Sequence, residues 1–437
     1  MTVKVIGAGL AGCEAAHILS KKGIKVELHE MKPQSYSPAH KLPTFAELVC
    51  SNSLKAERFG SAAGLLKWEM EYLGSLTVPL AKKNAVPAGG ALAVDRVLFS
   101  KQVTEAIKSD PNITVVSGEV ENIDPDEYTI IATGPLTSGR LADSLKALCG
   151  EEYLSFYDAA APIVTADSID MEHAFFASRY DKGDGDDYIN CPLNKEEYEA
   201  FVSALVSAER ALLHENDMGL KVYEGCMPIE VLASRGTDAI RFGPMKPVGL
   251  KDPKTGHRPW AVLQLRKETK QAEMYNLVGF QTNLKFGEQK RVFGMIPALS
   301  HAEYVRYGVM HRNSFIDSPR VLNSDFSMKK HPKVCFAGQI SGVEGYMESA
   351  ASGIAAAFFM AAAINGEQLP PFPDITMIGA LSRYISDGSV KDFQPMGANF
   401  GILPPLPTAI RDKKERYNLL AERSAKWFSD NIRSEEK

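Results

Sequence analysis

Cysteine is scarce in this chain. Its 437 residues hold six, at Cys13, Cys50, Cys149, Cys191, Cys226 and Cys335. No two have C-x-x-C spacing, so neither a disulfide framework nor a metal site is expected. Long apolar runs are lacking too. The longest, Ala350 to Ile364, is alanine-rich and too short to cross a bilayer, and is expected to be a buried helix. The N-terminus enters a strand with no basic stretch ahead of an apolar one, which predicts no signal peptide and no membrane attachment. A reducing, cytoplasmic compartment is the expectation. There is no excess of positive charge either. Lys and Arg number 49 against 54 Asp and Glu, a net −5 with a pI near 6.1. Nothing attracts a polyanion globally, so any such site must be local. Repeats and low-complexity blocks are absent. What is present, 45% hydrophobic and 24% charged residues, is ordinary for a globular protein with a large core. The length allows about two or three domains.

The strongest local signal lies in the first thirty residues. Thr2 to Ile6 reads as a buried strand and Gly7-Ala8-Gly9-Leu10-Ala11-Gly12 follows at once. Cys13 to Lys22 reads as a helix ended by Gly23, and Lys25 to Glu30 as a second strand closed by an acid. This is the dinucleotide fingerprint G-x-G-x-x-G in its strand–turn–helix–strand context. Gly7 permits the tight turn, Gly9 lets the backbone approach a pyrophosphate, and Gly12 lets helix and strand pack closely. The helix N-terminus offers unpaired N–H groups to phosphate. Glu30 stands where a carboxylate takes ribose hydroxyls.

Further along, Pro33, Pro38 and Pro43 break up residues 31–60. Helices are expected over Ser61–Leu73 and Asp95–Lys108, the latter with Val97, Leu98, Val103 and Ile107 as its apolar face. Strands are expected at Ile113–Val116 and Tyr128–Ile131. The middle then changes character. Residues 151–220 hold sixteen acids against four Lys and Arg, whereas 241–291 hold eleven Lys and Arg against four acids. The basic stretch, interleaved with Trp260, Tyr275 and Phe286, is a candidate phosphate-backbone face. Its candidate RNA contacts are Arg241, Lys246, Arg258, Arg266, Lys267, Lys290 and Arg291, with Lys82 and Lys83 as additions. The alternative is a solvated surface. The run 182–187 resembles calcium chemistry but has the wrong ligand spacing and reads as an exposed turn. Val334 to Gln339 reads as a late strand entering a glycine-containing turn. Gly342, Gly345 and an alanine-rich helix follow, so the chain is expected to return to the first sheet. Arg411–Asn431 reads as a terminal helix.

Five motifs in order carry a resemblance: Gly7 to Gly12, Cys50-Ser51-Asn52-Ser53, Glu224 to Glu230, Tyr307 to Asn313, and Phe336 to Tyr346. Over essentially its full length the chain resembles the bacterial folate- and FAD-dependent tRNA (uracil-5-)-methyltransferases, the TrmFO family. The resemblance implies an α/β fold with a discontinuous Rossmann-type FAD-binding domain (residues 1–165 and 320–437) and an α+β insertion domain (166–319). It implies FAD as cofactor, methylenetetrahydrofolate as carbon donor, NAD(P)H as reductant and the T-loop uridine of tRNA as target. No obligate protein partner is inferred. The candidate cofactor contacts are Gly7, Ala8, Gly9, Leu10, Ala11, Gly12 and Glu30, joined by Gly338, Gln339, Gly342, Gly345 and Tyr346. The chain has no second G-x-G-x-x-G unit, so NAD(P)H is expected to dock transiently on the flavin.

Uracil C5 becomes nucleophilic when a thiolate adds at C6. Cys50 and Cys226 lie in small-residue or glycine-bearing loops, whereas Cys13 and Cys335 fall in a helix and a buried strand, where cysteine is a small hydrophobe. With the resemblance, Cys226 is expected to attack C6 and Cys50 to handle the C5 proton, the exchanged roles being the alternative. His311 and Tyr346 are candidates for stacking on pterin or flavin. Two other readings are a GidA-type flavoprotein of wobble-uridine modification, and a flavin-bound RNA-binding protein without transfer activity.

Overall fold

A computed structural model of the chain describes residues 1–437 except 138, 151–152, 160, 182–186, 212–226, 269–271, 391–392 and 433–437, and omits the side chains of 153–159, 181 and 310–312. Cys226 and nearly all of the 182–187 run therefore lie outside the described residues.

The strand Thr2–Ile6 sits in the middle of a parallel sheet. On one side lie Thr129–Ile131 and then Val334–Phe336, and on the other Lys25–Glu30 and then Ile113–Ser117. Val5 pairs with Leu28 on one flank and with Ile130 on the other, and all three are fully buried. Such short apolar runs suit a sheet covered on both faces. The late strand thus does return to the first sheet, across about two hundred residues of intervening chain.

Two helices hold this sheet's ligand edge together. Leu10–Lys21 follows the glycine turn, and Tyr346–Ile364 packs against it. A methyl group at Gly353 would fall 2.1 Å from the Ala11 carbonyl oxygen, so the backbones touch where no side chain fits. The alanines of Tyr346–Ile364 are there for that reason. The helix is apolar enough to cross a membrane by composition, but its residues are packed in the core.

Most expected elements are found. The helix after Asp95 runs Arg96–Ser109, and the Asp95 carboxylate accepts from the Val97 and Leu98 amides. Its buried face differs from expectation: Phe99, Val103 and Ile107 point inward while Val97 is 47% exposed. The i, i+4 row starting at Phe99 sets the face, and Val97 falls off it. The terminal helix begins at Lys413, two residues later than expected, because Asp412 caps it by accepting from the Glu415 amide.

One apolar core draws on residues 3–149 and 315–428, and a second on residues 164–302. The second surrounds a sheet ordered Phe175–Phe176, Tyr188–Leu193, Ala261–Lys267, Met274–Leu277, Ile163–Thr165 and Tyr304–Arg306. The chain leaves the first body through Tyr153–Ala159 and returns through Met310–Ile316, and the two segments pair antiparallel.

Glu69, fully buried, ties three helices of the first body. Its carboxylate accepts from the Met377 and Ile378 amides, at the start of helix Met377–Ser386, and from the Ser424 hydroxyl of the terminal helix. Burial outweighs these donors and pushes its carboxyl from 4.5 up to about 7. The folded state therefore binds this proton more tightly than the unfolded state. Its contribution to stability is present below about pH 4.5 and is lost as pH rises toward 7. The expected outcome is a wild-type stability that falls across this window relative to Glu69→Gln, measured by urea unfolding at stepped pH. Parallel pH curves for the two proteins would contradict it.

Candidate active site

The glycine turn shows what each fingerprint residue does. Gly7 has φ of +98°, and a methyl there would meet the Ala132 carbonyl oxygen at 2.5 Å. A methyl at Gly12 would lie 1.8 Å from the Gly7 carbonyl oxygen, so this position is closed by packing. Gly9 is different: a methyl there would meet nothing within 4 Å. It faces an open cleft of about 1250 Å3, mouth included, lined on this side by Gly7, Ala8, Gly9, Leu10 and Ala11. A turn whose middle glycine faces empty space, at the start of a helix, is the cradle a pyrophosphate needs.

Glu30 lines the same cleft at the end of its strand. Its carboxylate accepts from the Ala8 amide at 2.8 Å and the Lys32 amide at 3.0 Å. The two bonds fix its orientation and leave lone pairs for hydroxyls. Across the cleft stand Gly338, Gln339, Tyr346 and Ser349 from the returning chain. The Gly338 amide donates to Ser352, and the Gln339 side chain donates to Glu344. Gly342 and Gly345 do not line the cleft. They shape the turn behind it, with Phe393 packed on Gly342 and Glu348 and Lys55 beside Gly345.

Tyr346 connects this cleft to the cysteine loop. Its hydroxyl oxygen accepts from the Cys50 amide at 2.8 Å and the Ser51 amide at 3.2 Å. Burial, and then the neighbouring Cys50, push the phenol pKa up, so it remains protonated. Cys50 itself is half-buried and in no disulfide.

Three arginines hold the rest of the loop. Arg306 donates to the Val49 carbonyl at 2.8 Å and the Cys50 carbonyl at 2.9 Å. Arg96 donates to the Leu48 carbonyl at 3.0 Å and pairs with Glu268 at 2.5 Å. Arg266 donates to Asn52 at 2.8 Å and to Ser51 at 2.6 Å. Asn52 in turn donates to the carbonyls of Val94 and Lys267, on opposite bodies. A guanidinium presents five N–H donors in a rigid planar fork, so one side chain holds several acceptors in a fixed geometry. Both Arg266 and Arg306 have pKa values lowered by burial, with Cys50 among the groups acting on them electrostatically.

Arg266 corrects a sequence expectation. Its place in the basic stretch makes it a candidate RNA contact, but it is 6% exposed and its guanidinium is bound to Ser51 and Asn52 of the cysteine loop. The strand Ala261–Lys267 is buried on both sides, so its charge turns inward to a partner. Arg241 is also engaged internally, with its guanidinium 3.9 Å over the Trp260 ring and its Nε donating to the Trp260 carbonyl. Lys267 is half-buried. Lys246, Arg258, Lys290 and Arg291 are exposed, although Arg291 pairs with Glu288. His311 lies in the returning strand Met310–Ile316 opposite Asp158, and its side chain is outside the described residues.

Sequence reasoning missed Arg96 and Arg306. Arg306 had a weak signal, one residue before the Tyr307 motif, but Arg96 had none, since its partner lies 48 residues away in a loop.

The glycine cradle, the opposed returning turn and the second core define a two-part Rossmann-type dinucleotide-binding protein interrupted by an insertion domain. Comparison with known proteins narrows this class. The family model described as Glucose inhibited division protein A matches residues 2–368. The chain is 57% identical over 430 residues to the protein named methylenetetrahydrofolate--tRNA-(uracil-5-)-methyltransferase TrmFO of Acetivibrio thermocellus, covering 98% of each. It is 56% identical over 423 residues to the TrmFO of Listeria monocytogenes serotype 4b (97% of each), and 54% over 431 residues to that of Halalkalibacterium halodurans (99% and 98%). Among solved structures, Aquifex aeolicus GidA superposes with a TM-score of 0.71 at 15% identity, over 98% of this chain and 73% of that one, which shows a shared fold. The chain belongs to the TrmFO family, within the broader group that the Glucose inhibited division protein A model describes.

The two inner glycines separate packing from binding. Gly12→Ala is expected to lower the melting temperature, since overpacking of this kind costs about 1–3 kcal/mol. Gly9→Ala is expected to melt as the unliganded wild type does and to lose only bound dinucleotide, read by absorbance of the purified protein. Equal melting losses in both variants would refute this assignment.

Proposed function

We propose that the chain methylates C5 of the T-loop uridine in tRNA, taking the carbon from methylenetetrahydrofolate and electrons from NAD(P)H, with FAD seated in the cleft. The names of its relatives supply the folate donor and a tRNA uracil as the target. The observation that supports the reading for this chain is the Tyr346 hydroxyl, which joins the cleft wall to the backbone amide of Cys50. Bound there, FAD supplies redox chemistry and a ring nitrogen able to carry one carbon. The open cradle at Gly9 and the oriented Glu30 carboxylate fit its pyrophosphate and ribose.

The residues divide the remaining work. Cys226 attacks uracil C6, which makes C5 nucleophilic. After the new carbon–carbon bond forms, the Cys50 thiolate takes the C5 proton and the Cys226 sulfur leaves C6. The resulting exocyclic methylene is reduced to the methyl group by two electrons that originate in NAD(P)H. The Cys50 thiol gains precision from its backbone, held by Tyr346 on the amide side and Arg306 on the carbonyl side. To act as a base Cys50 must start as the thiolate, a form that the positive charge of the neighbouring Arg306 favours. Lys246, Arg258, Lys290 and Arg291 supply phosphate contacts, so tRNA affinity falls with salt. The identity relation to TrmFO proteins favours this reading over a GidA-type wobble-uridine function, for which the likeness is one of fold.

The decisive assay incubates the protein with undermodified tRNA, NADPH and methylenetetrahydrofolate, followed by nucleoside analysis. 5-Methyluridine is expected with the folate and not with S-adenosylmethionine in its place. No product, or product from S-adenosylmethionine alone, would refute the reading. With 5-fluorouridine RNA, Cys226→Ala is expected to lose the covalent adduct and Cys50→Ala to keep it, and the reverse result would exchange the two roles. Tyr346→Phe keeps the ring and loses the acceptor of two amides, a loss of about 1–3 kcal/mol in loop order. It is expected to retain flavin and to lower kcat about tenfold or more. An unchanged kcat would remove Tyr346 from the positioning of Cys50.

A further inference from the structure

We infer that Phe286, Tyr307 and Tyr304 form a stacking platform for an unpaired nucleobase of the RNA substrate. The inference rests on the reading of the substrate as tRNA. Phe286 opens the helix Phe286–Phe293. Its ring lies on Tyr307 with centroids 4.7 Å apart and planes 16° apart, and Tyr307 lies on Tyr304 at 4.9 Å and 9°. Among the described residues most other aromatic pairs are T-shaped or tilted. Three near-parallel rings make a continued stack of the kind bases form.

The outer end of the stack is open. Phe286 is 54% exposed. Phe242 is more exposed at 75%, but the Arg241 guanidinium stands over its ring. The inner end is rigid. Gln289, fully buried, donates to the Gly308 carbonyl at 2.8 Å and accepts from the Gly308 amide at 2.8 Å, which fixes the backbone next to Tyr307. A platform of this stiffness loses little entropy when a base lands on it.

Its position ties it to the reaction. Tyr304 lies in the strand Tyr304–Arg306, from which Arg306 grips the Cys50 carbonyl. The described residues flanking the stretch that carries Cys226 dock just before Phe286: the Ala211 amide donates to the Asn283 carbonyl, and the Ile229 amide to the Gln281 carbonyl. The stack thus joins the strand that grips the Cys50 loop to the helix that follows Gln281 and Asn283. Exposed Lys285 and Lys290 lie along the chain next to it, and exposed Arg210 bridges to Leu284. Together they give the rim the charge a phosphate backbone needs, Lys285 being shared with Glu209. A uridine drawn out of a folded loop breaks the stack of its neighbours. The exposed Phe286 ring offers one of those neighbours a replacement face.

Wild-type protein, Phe286→Ala and Phe286→Trp, titrated with undermodified tRNA at several salt concentrations, test this. Phe286→Ala is expected to raise Kd about tenfold, with the slope of log Kd against log salt unchanged because no charge is lost. Phe286→Trp is expected to bind as wild type does, with its indole fluorescence quenched by tRNA. A Kd for Phe286→Ala within roughly twofold of wild type, or an indole signal indifferent to tRNA, would overturn the platform while leaving the methylation reading intact. Wild-type protein that bound no tRNA at low salt would overturn both.

Discussion

The constraint on which the site depends is the loop of residues 48–52. The Asn52 carbonyl accepts from the Val94 amide of a neighbouring strand. The Cys50 and Ser51 amides and the Leu48, Val49 and Cys50 carbonyls are instead held by side chains, and a buried polar backbone group without a partner is costly. The partners come from everywhere else. Tyr346 of the returning half takes two amides, and Arg96 of the first half takes one carbonyl. Arg306 of the insertion domain takes the Val49 and Cys50 carbonyls, and Arg266 the side chains of Ser51 and Asn52. Each of these bonds crosses between elements remote in sequence, so the loop acquires its shape only when both cores are assembled. Cys50 is presented by the meeting of the two bodies.

This arrangement gives the insertion domain a role beyond carrying basic residues. The strand Ala261–Lys267 supplies a buried cation to the cysteine loop, and the edge strand Tyr304–Arg306 supplies another. The carboxylate of Glu268, 1% exposed, stands against Arg96 of the other body. Charges buried in this way are retained at a desolvation cost, and their best-attested use is to fix register. Here the register is that of the loop of residues 48–52 against the wall of the glycine-turn cleft.

The glycine cradle shows the opposite logic. Everything about it is local: strand, turn, helix and second strand follow one another within thirty residues, and the three glycines differ only in what each lacks room for or leaves open. The sequence pattern is sufficient because the physical requirement is a property of consecutive backbone units. The alanine-rich helix was legible for a similar reason, since small residues at its contact let two backbones touch at Gly353 and Ala11.

What the sequence determined by itself was the nucleotide cradle, the acid that closes it, the return of a late strand and the motifs of the family. Each is either contiguous or carried by a short pattern whose physics is local. What only the tertiary structure decided was which charges are spent internally. Arg266 reads as a surface cation in composition and is buried 214 residues from the asparagine it holds, while Arg306 binds carbonyls 256 and 257 residues away. Ion pairing and carbonyl binding act across space over a few ångströms, and no periodicity in the chain records which distant groups will come within that reach.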